Sequence, residues 1–252
     1  TFHSKGDRIY HVTCDIKTPS ETIKSGSTPW PFGPNMQRDF PGIAAFTRVS
    51  FDNVLIKKGD VSFQEERTLY ADSSLFRVFG FKLAEGDPAT ALKEVNSVVL
   101  SKTAAKKYFG EEDPMGQAVL LTGDGLPATV TGVMEDLPQP SQLRADVLVS
   151  MSTVVKQARG IDDAWGNFGA ITFLLLKPNA SAAALQAKFP DFIERHNGNE
   201  RRQAKMLYTV LLEPLKDIYL HSTRPAFESG SITNVYIFSV IAIFILFIAC
   251  IN

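Results

Sequence analysis

The C-terminal stretch VYIFSVIAIFILFIACIN, Val235–Asn252, carries no charged side chain, and Val235–Ile251 is interrupted only by Tyr236, Ser239 and Cys250. As a helix those 17 residues would span roughly 25 Å, a little short of a ~30 Å hydrocarbon core. A helix buried in a soluble protein keeps a polar stripe toward solvent, and a helix lying in a membrane surface keeps a charged face. Neither is present. The run therefore reads as a transmembrane helix. It stops at Ile251-Asn252 without the Lys or Arg that marks a membrane interface, so the reading is the start of a helix cut before its end. Everything before it is expected to be a folded domain on one side of a membrane.

The 252 residues can bury a sizeable core, as one large domain or two small ones. A net charge of −1 leaves no electrostatic footprint for nucleic acid. The opening TFHSKGDR has no apolar segment of a signal peptide, and a start at Thr1 suggests a fragment or a processed product. Two cysteines, Cys14 in an apparent strand and Cys250 in the apolar run, exclude a disulfide framework and leave the compartment open.

Alternation marks RIYHVTCDIK (Arg8–Lys17) as a strand. In PFGPNMQRDFPG a short helix is expected to begin at Pro34 and end at Pro41-Gly42. The stretch from Ala44 to Ser74 reads as three short strands, with a tight turn at Lys58-Gly59-Asp60. Ser73 or Ser74 is the candidate cap of a short helix carrying Leu75, Phe76, Val78 and Phe79, stopped by Gly80. Val98-Val99-Leu100 reads as a strand, followed by a helix capped by Ser101 and ended by Gly110. Further strands are expected in a hairpin turning at Gly123-Asp124-Gly125, in RADVLVSM and in the apolar AITFLLLKP. Leu185, Phe189, Phe192 and Ile193 recur at i, i+4, i+7 and i+8, an amphipathic helix that Pro190 should kink or split. KMLYTVLLEPLKDIYL closes the domain as a long strand and a helical turn. The class is α+β, since the hairpins rule out a purely parallel sheet.

No catalytic, cofactor-binding or metal-binding residues are assigned. GDGLPA (Gly123–Ala128) has the letters of a dinucleotide fingerprint, but a β-branched strand follows it where the mechanism needs a helix N-terminus. It reads as a hairpin turn. No P-loop and no G-x-S-x-G elbow occurs. His3, His11, His196 and His221 are scattered, without ligand spacing. Glu65-Glu66 sits in a strand whose neighbouring residues face opposite ways, and Glu111-Glu112-Asp113 reads as a solvated turn. Phe is abundant at 18 residues; Phe76, Phe79, Phe81 and Phe109 read as core, with an exposed docking patch as the alternative.

Several segments together resemble the MacB-like periplasmic core domain, the extracytoplasmic part of FtsX-like ABC-transporter permeases. They are GDRIYHV (Gly6–Val12), ADSSLFRVFGFKLAEGDPATAL (Ala71–Leu92), SVVLSKTAAKKYFGEEDPMGQ (Ser97–Gln117), VTGVMEDLP (Val130–Pro138) and the apolar run ending ACIN. The resemblance implies two α/β lobes. Residues 1–86 and 166–233 would form lobe 1, residues 87–165 an inserted lobe 2, and residues 234–252 the start of a transmembrane helix. It also implies a domain without catalytic residues, on the periplasmic side of the bacterial inner membrane. A cytoplasmic ABC ATPase subunit or domain would drive the transmembrane helices, and these would move the lobes in mechanotransmission. Further implied partners are the lipid bilayer through Val235–Ile251, a second permease copy and a periplasmic protein or substrate. Two other classes stay open at this point: a ligand-sensing ectodomain of a two-helix membrane receptor, and a membrane-anchored extracytoplasmic enzyme, which would need converging titratable groups.

Overall fold

The computed structural model describes residues 5–121, 125–137, 143–224, 226–227 and 230–251. Among these, eleven strands form one mixed sheet flanked by short helices. The strands are β1 (Ile9–Lys17), β2 (Thr22–Ser25), β3 (Ile43–Lys58), β4 (Val61–Ala71), β5 (Leu83–Glu85), β6 (Ser97–Ser101), β7 (Ala118–Leu121), β8 (Leu126–Met134), β9 (Val147–Ser150), β10 (Ile171–Leu176) and β11 (Leu207–Pro214). Their spatial order is β11-β1-β10-β3-β4-β9-β6-β8-β5, with β2 beside β1 and β7 bridging β3 and β8. The β4–β9 and β6–β8 pairs are parallel and the others antiparallel. The class is α+β, as expected.

Local signals account for much of this. Strand β10, apolar but for Thr172, lies between β1 and β3 and is buried along its whole length, as a strand covered on both faces must be. Ser101 caps α3 (Lys102–Phe109) by accepting from the Ala104 amide at 3.0 Å. Gly110 ends the helix at a φ of 61°, a conformation open to glycine. Pro190 splits its region into α5 (Ala182–Gln186) and α6 (Phe189–Gln203). It occupies the first turn of α6, where its missing N–H has no intrahelical partner to lose. Leu185, Phe189, Phe192 and Ile193 are all buried, facing β1 and β10 residues in one of three apolar clusters.

Three expectations need correction. The stretch from Ala44 to Ser74 holds two long strands rather than three short ones, β3 and β4, joined at Gly59 with a φ of 57°. Between Asp52 and Val54 the register shifts, Asn53 of β3 standing opposite both Glu66 and Arg67 of β4; the extra residue on β4 bends the ribbon without ending it. The first helix, α1 (Phe32–Asp39), begins two residues before Pro34; Pro34 sits within its first turn, which tolerates proline. Ser74 does precede the short helix α2 (Leu75–Phe79), but its hydroxyl donates to the Phe46 carbonyl on β3 instead of capping α2.

Helix α4 (Met151–Gln157) follows β9, and the chain then returns through Asp162 to β10. After β11, a 3-10 turn (Leu215–Asp217) leads into α7 (Ile218–His221). That turn packs beside the 3-10 turn Gly6–Arg8, which precedes β1. Finally α8 (Ile232–Ile251) leaves the sheet.

Candidate functional site

Among the described residues, those with chemical potential do not converge. His11 is buried on β1, His196 is bonded to Asp39 at 2.7 Å, and His221 is exposed at the end of α7; His3 lies outside the described residues. Among the described residues no three His, Cys, Asp or Glu side chains gather as a metal would require. Glu65 points inward, where Tyr108 and Lys107 donate to it, while its neighbour Glu66 is exposed. Glu111, Glu112 and Asp113 are exposed, and Asp113 accepts from the Met115 amide within its own turn. Leu121 pairs with Leu126, making β7 and β8 a hairpin, so the GDGLPA motif is followed by strand β8; Gly123 and Asp124 lie outside the described residues. Phe76, Phe79 and Phe109 are core, and Phe81 packs against it.

One cleft of about 190 Å³ is lined by Arg67, Asp146, Thr103, Asp136 and Arg144 among others. Arg67 and Asp146 pair at 2.5 Å. Asp136 accepts from the Thr103 amide and hydroxyl at 3.1 and 2.8 Å. Partial burial works against its charge, yet these bonds hold its carboxyl below the usual range. A carboxylate held ionised by structural donors is poorly suited to shuttle protons.

The feature that sets this chain apart is how it leaves the sheet. Helix α8 has 20 residues, no buried side chain and a mean hydropathy of 2.7 over its best window. At 1.5 Å per residue it is about 30 Å long, which matches a hydrocarbon core. Ser231 accepts from the Asn234 amide at its start, and the Ser239 hydroxyl donates to the Val235 carbonyl. Hydroxyl groups satisfied within the helix suit a medium that offers no water.

Between α7 and α8 the chain crosses back over the sheet. Arg224 donates to both oxygens of Asp15 on β1, at 2.9 and 2.8 Å, and to Glu213 on β11 at 3.0 Å. Ser222 adds a bond to Glu213 at 2.7 Å and receives the Arg224 amide at 3.1 Å. Burial opposes the Arg224 charge, but the two carboxylates outweigh it and raise its pKa. Phe227 covers His11, Phe173 and Phe51 with ring centroids 5.6–5.8 Å apart. Beneath it His11 donates from Nε2 to the Gly26 carbonyl at 2.7 Å, and its Nδ1 faces Glu213 at 3.9 Å. Burial outweighs both neighbours and pushes the His11 pKa down to about 4, so the ring is neutral. The Gly230 amide then donates to the Tyr219 carbonyl at 2.8 Å. A Cβ on Gly230 would meet the Tyr219 ring at 2.8 Å, so glycine permits the close approach. Sequence reading located this exit but missed its ties, whose partners are far apart along the chain.

Comparison with known proteins agrees with this architecture. No curated protein matches. Among solved structures, a domain of a protein from Porphyromonas gingivalis described as a permease is 21% identical. It has a TM-score of 0.76 and covers 94% of this chain and 98% of its own. The periplasmic region of MacB from Actinobacillus actinomycetemcomitans is 16% identical, with a TM-score of 0.56 over 84% of this chain and 91% of its own. The extracellular domain of YknZ, a noncanonic ABC-type transporter from Gram-positive bacteria, is 13% identical, with a TM-score of 0.53 over 81% of this chain and 99% of its own. At these identities the likeness is one of fold. The model of the MacB-like periplasmic core domain matches residues 1–192, and the chain belongs to that family, the periplasmic domain of ABC-type permeases.

Proposed function

We propose that this domain stands on the periplasmic side of the bacterial inner membrane and relays movement of the permease's transmembrane helices. An ABC ATPase, as a cytoplasmic subunit or a fused domain, would supply the movement. The output would be substrate export or action on a periplasmic partner, with a second permease copy alongside. The observation that carries this reading is α8, an apolar helix of membrane length with no buried side chain. Val235–Ile251 would contact lipid.

Within the domain, residues 1–86 and 166–233 would act as one lobe and 87–165 as an inserted second lobe, with 234–252 beginning the transmembrane helix. Support comes from the topology: β6, β8 and β9 are neighbours in the sheet, and the chain then returns to β10 between β1 and β3; β5, from the segment before residue 87, joins them at the β8 edge. The relay as proposed needs no catalytic residue in this domain.

The test is topology in cells. Cysteines replacing the exposed Lys57 and Lys106 are expected to react with a membrane-impermeant maleimide in intact spheroplasts, while Cys250 is protected. Labelling of Lys57→Cys and Lys106→Cys only after lysis would overturn the periplasmic placement. Co-purification of the full-length protein with a P-loop ATPase then tests the motor, and its loss of ATPase-dependent function on deleting residues 9–221 tests the relay.

A further inference from the structure

We infer that Arg224 is the residue that ties the membrane helix mechanically to the sheet, so that displacement of α8 reaches β1 and β11 together. The inference rests on the relay reading above and names the residues through which it would run.

Four observations carry it. First, Arg224 stands eight residues before Ile232, the first residue of α8, and spans two adjacent strands at once, Asp15 of β1 and Glu213 of β11. Second, the tie is built for direction. A guanidinium held by both edges of one carboxylate and by a second carboxylate resists rotation as well as separation, which a lysine could not do. Third, the site is sheltered: Arg224, Glu213 and Asp15 side chains are only 15%, 14% and 22% exposed. Ionic contacts in such a place are weakly screened by salt. Fourth, Phe227 closes over the aromatic row of the sheet, and Gly230 is bonded to Tyr219. The exit thus touches the fold at successive points before α8 begins.

A pull on α8 has two routes into the domain. One runs along the backbone through Tyr219 and α7 to the end of β11. The other leaves the backbone at Arg224 and enters β1 at Asp15. Strand β1 lies between β11 and β10, and β10 pairs with β3. Asp15 itself is flanked by Lys24 of β2 and Thr209 of β11, so load entering there runs along β1 to Ile9–Val12, where β10 pairs, and on to the middle of the sheet; the backbone route alone ends on an edge strand.

The test uses the chain in lipid nanodiscs, with spin labels at Lys106→Cys on α3 and Thr233→Cys at the start of α8, and Cys250→Ser. Buried Cys14, whose thiol burial pushes up to about 12, stays unlabelled. The wild-type pair is expected to give one narrow distance distribution. Arg224→Gln should broaden it about twofold or more, as a freed connection samples loop-scale motion, and Arg224→Lys should fall between. Because Arg224→Gln leaves two acids facing each other, Arg224→Gln with Asp15→Asn is the second variant; it relieves the repulsion and should be as broad. A distribution that stays narrow in both variants, with the domain folded, overturns the tie. Failure of the underlying reading looks different: labels along α8 would then report water rather than lipid, whatever the distance width.

Discussion

Arg224 grips Asp15 with both edges of its guanidinium, Nε to Oδ1 at 2.9 Å and Nη2 to Oδ2 at 2.8 Å, across 209 residues of sequence. The two strands at one side of the sheet are thereby joined to the segment that leads into α8. A double-mutant cycle of Arg224→Ala and Asp15→Ala, read by urea unfolding, should give a coupling energy of about 1–2 kcal/mol. The value is expected to shrink only modestly in high salt, since the pair is sheltered. Additive single mutants would show that the pair contributes nothing beyond its parts.

Arg48 offers a sharper contrast. It is 4% exposed, forked onto Asp72 at 3.0 Å through both Nε and Nη2, and bonded to Asp162 at 2.5 Å and to the Trp30 carbonyl. Burial opposes its charge and the two carboxylates more than offset it, raising its pKa further. Replacing it by Ala removes the cation from Asp72 inside the fold and should cost about 3–5 kcal/mol. Asp162, 42% exposed, should cost under about 1 kcal/mol as Asn. Thermal melts of the two variants check the ranking.

Acid should loosen the domain through His11. Its folded pKa of about 4 lies below the ordinary 6.5, so between these values the unfolded chain binds the proton and the folded chain does not. Stability is then fully present above pH 6.5 and falls as pH drops toward 4, by about 3 kcal/mol for this group alone. Asp39, held below its usual value by His196 and Arg38 against the effect of its burial, adds a loss at still lower pH. The groups facing His11 are Glu213, Arg224 and the Gly26 carbonyl. His11→Gln, which can still donate to Gly26, should flatten the loss between pH 6.5 and 4 in urea titrations. An unchanged slope would assign the acid sensitivity elsewhere.

Removing α8 should leave the domain intact. No residue of α8 is buried, and substitutions at such surfaces usually stay within about 0.5 kcal/mol. A chain ending at Gly230 keeps Arg224 and Phe227 and should unfold at the denaturant midpoint of the full chain in detergent. A loss of cooperative unfolding would mean that α8 packs on the core.

Cys14 should resist water-soluble maleimide at pH 8 until the sheet opens. Burial, with Asp15 nearby, pushes its thiol up to about 12, so the reactive thiolate is scarce. Mass spectrometry during urea unfolding would show its modification tracking the global transition.

What could be read without the fold was local. The charge-free run before Asn252, the alternation in Ile9–Lys17, the Ser101 cap with Gly110, and the break at Pro190 each declare themselves within a few residues. The long β3–β4 ribbon was read as three short strands because a register shift such as that between Asp52 and Val54 has no letters of its own. The ties of Arg224 to Asp15 and of Arg48 to Asp162 carried no signal at all. Charged residues in a single chain read as solvated faces, and only folding brings partners more than a hundred positions apart within 3 Å.

The packing of the Gly6–Arg8 turn against the Leu215–Asp217 turn has an architectural consequence. The start of β1 and the end of β11 stand side by side, and these first and last long strands zip together from that point, Tyr10 opposite Pro214. Such a module can be spliced between two neighbouring segments of a host protein, or removed from it, without forcing those segments apart. A short bridge of a few residues would close the gap it leaves.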